Sequence, residues 1–101
     1  MKDKIFSMLG FAMKSGNVVT GESTCLIHIK KNVVHLVIVA EDASENTKKL
    51  FKNKAAHRNI PYRIYGSKSS LGENIGKSDR ATIAIKDRGF ARKLIEYIDG
   101  R

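Results

Sequence analysis

Residues 33 to 40 (Val-Val-His-Leu-Val-Ile-Val-Ala) are almost continuously β-branched or aliphatic. A strand with one wet face alternates apolar and polar side chains. A run without that alternation belongs to a strand covered on both faces. Residues 81 to 85 (Ala-Thr-Ile-Ala-Ile) read as another interior strand, and Pro61 opens a further one that runs to Tyr65. Strands of this kind need helices on each side of their sheet, and the rest of the chain carries apolar residues at helical spacing.

Residues 2 to 15 place Ile5, Met8, Leu9, Ala12 and Met13 on one helical face, with Gly16 as the stop. Asn17-Val18-Val19 is a short strand. Thr20 is then expected to cap a helix over residues 21 to 31, with Cys25, Leu26 and Ile29 inward and Lys30 and Lys31 in the last turn, where cations suit the dipole. Asn32 follows as a left-handed stop. Ser44 or Asp42 is expected to cap a helix over residues 44 to 58, with Thr47, Leu50, Phe51 and Ala55 near one face and Lys48, Lys49 and Lys52 outward. Asp87 caps a last helix that holds Phe90, Ala91, Leu94, Ile95 and Ile98. The order is α-β-α-β-α-β-α-β-α. Over 101 residues, with no repeat, linker or low-complexity tract, it predicts a single domain. Its fold class is a three-layer α/β/α sandwich with a small mixed four-stranded central sheet.

Nineteen Lys and Arg against ten Asp and Glu give a net charge of +9. A small domain this basic is suited to a polyanion, and nucleic-acid binding begins with such an excess. Residues 43 to 80 alone carry nine cations and three carboxylates, two thirds of the net charge. The longest apolar run, Leu36 to Ala40, is far below the ~20 residues that span a bilayer, and the N-terminus lacks a signal-peptide pattern. A single cysteine rules out an internal disulfide. The expectation is a cytoplasmic protein with no membrane partner.

Little supports catalysis. His28, His35 and His57 have no partners at metal-ligand spacing, so neither a metal nor another cofactor is expected. Cys25 sits at a core position, where a structural thiol is the simpler reading. Glu41 and Asp42 end the strongest strand, where open α/β sheets commonly place ligands. Asp42 reads more simply as a helix cap, and Glu41 as a partner for nearby backbone amides.

The segment 66 to 76, Gly-Ser-Lys-Ser-Ser-Leu-Gly-Glu-Asn-Ile-Gly, is the most suggestive of a site. Glycines allow close approach to a ligand, and serines cap a short helix whose first N–H groups attract phosphate. Leu71 looks exposed among them, an apolar finger beside Lys68. No phosphate-loop or dinucleotide fingerprint is present.

Gly21-Glu22 opening a helix, the strand end Leu36 to Ser44 (Leu-Val-Ile-Val-Ala-Glu-Asp-Ala-Ser), Ile60-Pro61-Tyr62 and the stretch Ser67 to Gly76 resemble the L-seven-Ae family of ribosomal and kink-turn-binding proteins. The likeness spans nearly the whole chain and is greatest to the short bacterial YlxQ-type members. It implies an α/β/α sandwich and non-catalytic binding of structured RNA, ribosomal RNA or a kink-turn, by a monomer, with the ribosome as a further partner. On that resemblance Gly21, Glu22, Ser23 and Thr24 approach the sheared G·A pairs. Lys68, Ser69, Ser70, Leu71, Gly72 and Ile75 hold the turned-out nucleotide. Tight-binding members carry Gly-x-Asn-Glu followed by a lysine three residues on. Here Ser23, Thr24 and Ile27 stand at the Asn, Glu and Lys positions, which implies weakened or altered specificity. Lys14, Lys30, Lys31, Lys48 and Lys77 are candidates for compensating backbone contacts. Two other readings stay open at this level. One is a ribosome-assembly or protein-interaction factor with only nonspecific RNA contact, the other a small enzyme acting on a phosphate ligand.

Overall fold

The computed structural model describes residues 3–100, so residue 2, the first of the expected opening helix, lies outside it. Five helices alternate with four strands: α1 (Lys4–Lys14), β1 (Val18–Thr20), α2 (Glu22–Lys30), β2 (Leu36–Val39), α3 (Glu45–His57), β3 (Tyr62–Ile64), α4 (Lys68–Asn74), β4 (Thr82–Ile85) and α5 (Arg88–Asp99). The strands form one mixed sheet in the order β1-β4-β2-β3. β4 runs antiparallel to both β1 and β2, and β3 is parallel to β2.

The two central strands, β2 and β4, are buried along their whole length, as their unbroken apolar character predicts. β2 is shorter than the apolar run: Val33 is exposed and Val34 to His35 only lead into the strand. Helices α2 and α3 pack together over one face of the sheet, and α1 lies between α4 and α5 on the other. α1 turns Ile5, Leu9 and Ala12 inward, a spacing of four and then three residues that keeps them on one stripe. Asn32, with φ of 61°, ends the turn after α2 in the left-handed conformation expected of it.

Two capping assignments are corrected. Thr20 does not cap α2; it is the last residue of β1, and its hydroxyl donates to the Thr82 carbonyl at 2.9 Å. Ser44 alone caps α3, by accepting from the Thr47 N–H at 3.1 Å. Asp42 instead reaches across to α4, where Oδ1 accepts from the Lys68 N–H at 2.8 Å.

α1 is tied to the end of β3 by one carboxylate. Asp3 caps the helix by accepting from the Ile5 and Phe6 N–H groups, and its other oxygen accepts from the Tyr65 hydroxyl. The Phe6 and Tyr65 rings pack with centroids 5.4 Å apart. Burial, reinforced by the bond to Asp3, pushes the Tyr65 phenol up to about 12 from an ordinary 10. A raised folded-state value means stabilisation that is complete below pH 10 and is lost as pH rises through about 12. Tyr65→Phe removes the titrating group. Urea midpoints measured from about pH 8 to pH 12 should therefore fall more steeply for the wild type than for the variant across that upper window.

Candidate nucleic-acid interface

Paired registers place Thr20, Val39, Ile64 and Thr82 at one end of the sheet, so α2, α3 and α4 all start from that end. The start of β4 and the segment leading into it join them. The Thr82 carbonyl accepts from the Gly21 N–H at 3.4 Å, beside its bond from Thr20. The Ala81 carbonyl accepts from Ala40 N–H at 2.9 Å, and the Arg80 N–H donates to the Lys68 carbonyl at 3.0 Å. Glu41 is held by its backbone N–H, which donates to the Gly66 carbonyl at 2.7 Å, while its side chain is exposed. The opening of α2 and the opening of α4 are therefore parts of one surface.

Their chemistry differs. α4 is closed at its start: Ser67 and Ser70 form a reciprocal capping box, and Asp42 takes the Lys68 N–H. Of the outward N–H groups expected to attract phosphate there, those of Lys68 and Ser70 are already used within the protein. α1, α3 and α5 are also capped by side chains, those of Asp3, Ser44 and Asp87. α2 is not. Gly21 sits at its N-cap with φ of 92° and ψ of 146°, a region open essentially to glycine, and supplies no side-chain hydrogen bond. The first three N–H groups of α2, on Glu22, Ser23 and Thr24, precede the first intrahelical donor, Cys25. Those three residues are exposed, and a Cβ added at Gly21 would meet nothing within 4 Å. Uncapped N–H groups at the positive end of a helix are suited to accepting atoms of a polyanion.

The glycine-rich loop is built differently from its expected form. Leu71 is fully buried and Ile75 is 5 % exposed, so neither is a finger available to a nucleotide. They lie four residues apart and anchor α4 on the core, since positions i and i+4 share a helix face. Gly72 is buried too. A Cβ there would lie 1.9 Å from the Ser78 carbonyl oxygen, so the return segment crosses α4 at a distance that only glycine permits. The surface left by this packing consists of Lys68, Ser69 and Ser70, of which Ser69 is exposed and the others half-buried.

The lysines divide. Lys30 and Lys31 close α2 and lie at the opposite end of the sheet from Gly21, so they do not share this surface; nine helical residues separate the two ends by roughly 13 Å. Lys14 faces a groove with Asn74, Ile75 and Gly76, at the far end of α4. Lys48 starts from the correct end but pairs with Glu45 at 3.3 Å. Lys77 is exposed at the head of the return segment. Arg80, not singled out in the sequence, lies where that segment meets α4, its guanidinium bound to Ser78 and to the Asp79 carbonyl. The basic block of residues 43 to 80 is thus not one patch.

Nucleophilic chemistry has no support at this surface. Cys25 is fully buried, and burial pushes its thiol up to about 12, which leaves it un-ionised and inert. Among the described residues, no cluster of His, Cys, Asp and Glu is arranged to hold a metal ion, and no helix is long and apolar enough to cross a membrane.

The chain is thus a mixed four-stranded sheet between two helical layers, with one bare helix start beside a serine-rich loop. The chain belongs to the Ribosomal protein L7Ae/L30e/S12e/Gadd45 family, matching it over residues 3–95. It is 39% identical over 94 residues to RNA-binding protein YlxQ of Bacillus subtilis (strain 168), covering 93% of this chain and 94% of that one. A solved structure of a protein of unknown function from Bacillus halodurans C superposes with a TM-score of 0.95 at 38% identity, covering 97% of this chain and 99% of that one. The Giardia lamblia 15.5kD RNA binding protein shares the fold, with a TM-score of 0.81 at 16% identity and coverage of 99% and 92%.

Because Leu71 is core, a Leu71→Glu change would unfold the α4 region rather than report on binding alone. The milder Leu71→Ala should cost about 2–5 kcal/mol in urea denaturation, as buried leucines do. A loss below about 0.5 kcal/mol, normal for surface sites, would contradict the packing described.

Proposed function

We propose that this protein binds structured RNA without catalysing a reaction, as a cytoplasmic monomer whose target is a bent internal loop of the kink-turn type in ribosomal or ribosome-associated RNA. The observation that carries the reading is the bare start of α2. Where four helices are closed by side chains, this one leaves the N–H groups of Glu22, Ser23 and Thr24 open, next to Lys68, Ser69 and Ser70. Membership of a family that includes ribosomal proteins, and 39% identity to a protein named as RNA-binding, support the same conclusion.

In this reading the α2 start enters the widened groove at the sheared pairs. Regular A-form major grooves are too narrow to read, so bulged and unstacked elements are the accessible ones. Ser23 and Thr24 offer hydroxyls to base edges, and the open N–H groups meet phosphate. Lys68, Ser69 and Ser70 close over the protruding nucleotide. Leu71, Gly72 and Ile75 act from beneath, by fixing the path of the loop, and Lys77 adds charge alongside.

The exposed Ile27 offers phosphate no contact, and Ser23 and Thr24 replace bidentate groups with single hydroxyls. Each lost contact of this kind is worth about 1–3 kcal/mol. The variant Ser23→Asn/Thr24→Glu/Ile27→Lys restores the pattern of the tight binders at three exposed positions, so folding should be unaffected. Its affinity for a kink-turn RNA, measured by fluorescence anisotropy, should rise by about tenfold for each 1.4 kcal/mol regained. Unchanged affinity in a variant with unchanged melting temperature would remove the α2 start from the RNA contact.

A further inference from the structure

The cations absent from the α2–α4 surface collect around the other end of the sheet. Three shallow depressions follow one another there. The first lies between α2 and α3 and contains Lys30, Lys54, His57 and Arg58. The second shares Arg58 and continues through Asn32, His35 and Pro61. The third shares His35 and Pro61 and reaches Arg88, Arg92 and Glu96 on α5. Five cations thus line a continuous track that contains one carboxylate.

Two of these charges are placed against local stability. Arg88 is the first residue of α5, where the helix dipole disfavours a cation, and Arg92 follows at i+4, where like charges repel. The ion pairs among the described residues are Lys48–Glu45 and Arg63–Asp99, so neither Arg88 nor Arg92 is held in a close pair with a carboxylate. Arg58 is pre-oriented: one guanidinium nitrogen, Nη1, is bound to the Lys30 carbonyl and to Asn32 Oδ1, and its remaining donors are uncommitted. The apolar residues of the track, among them Leu26, Ile29, Ala91 and Ile95, are buried or half-buried. They offer no exposed anchor of the sort that dominates protein–protein interfaces. The five cations are exposed or half-buried, and a long path of such charges is suited to a phosphate backbone.

We propose that this track is a second RNA surface, which holds the backbone of an RNA helix independently of sequence. The protein then joins two RNA segments, an internal loop at the α2–α4 end and a helix at the opposite end.

The test uses the full chain, an immobilised kink-turn RNA and a labelled ~20-base-pair RNA duplex without an internal loop, long enough to present a full helical face. Lys54→Gln/Arg88→Gln/Arg92→Gln alters the track only. The wild type should bind the duplex, and the variant, with unchanged melting temperature, should bind it at least tenfold more weakly at about 100 mM salt. Its slope of log affinity against log salt should be shallower by about two to three. The wild type seated on the kink-turn RNA should capture the duplex, and the seated variant should not.

Duplex affinity equal in wild type and variant would overturn the proposal, as would competition of the two RNAs for one site. So would absence of duplex binding alongside capture of an acidic peptide, which would reassign the track to a protein. Because the duplex has no internal loop, its binding is read whether or not the α2 start recognises a kink-turn.

Discussion

The carbonyl of Thr82 accepts two hydrogen bonds from the far side of the chain, one from the Gly21 N–H and one from the Thr20 hydroxyl. Thr82 is also the one polar residue buried among the described core, 2 % exposed at the start of β4. Buried backbone acceptors must be satisfied, and here the partners are the residues that turn β1 into α2. The adjoining Ala81 carbonyl holds the end of β2 through Ala40, and the Arg80 N–H holds the start of α4 through Lys68. Three segments remote in sequence are therefore fixed by three consecutive residues. The position of one helix start relative to one loop is set by backbone bonds rather than by flexible side chains.

That arrangement explains why α2 carries a glycine where other helices carry a cap. The Gly21 N–H is used inward and its φ of 92° turns the chain sharply into the helix. A side chain at this point would be strained, and a capping side chain would consume the donors that a polyanion needs. α4, seven residues long beside it, follows the opposite logic: Asp42 and Ser67 take the Lys68 and Ser70 N–H groups, so side chains hold its start.

Much of the fold was legible in the sequence, because unbroken apolar runs and 3.6-residue periodicity are local signals. The nine-element order, the inward positions of Phe51 and Ala55 on α3, the Ser44 cap and the left-handed Asn32 all follow from residues near one another in the chain. What escaped was non-local. Asp42 caps a helix 26 residues away, and Thr20 spends its hydroxyl on a residue 62 positions later. Leu71 looked exposed because serines and glycines surround it, and seven residues are too few for a periodicity to stand out. Its spacing of four from Ile75 was the available clue. Helix length was also enough to separate Lys30 and Lys31 from Gly21, since the start and end of α2 face opposite ends of the sheet.

The proposed recognition is of RNA shape at the α2–α4 end, beyond the attraction of a net charge of +9. Fluorescence anisotropy compares a labelled kink-turn RNA with a twin whose sheared G·A pairs are replaced by Watson–Crick pairs, both at physiological salt. Recognition of shape predicts tighter binding to the kink-turn by about tenfold or more, and tenfold is equivalent to about 1.4 kcal/mol. Equal affinities that fall together and steeply with added salt would contradict it, and would leave only nonspecific attraction to phosphate.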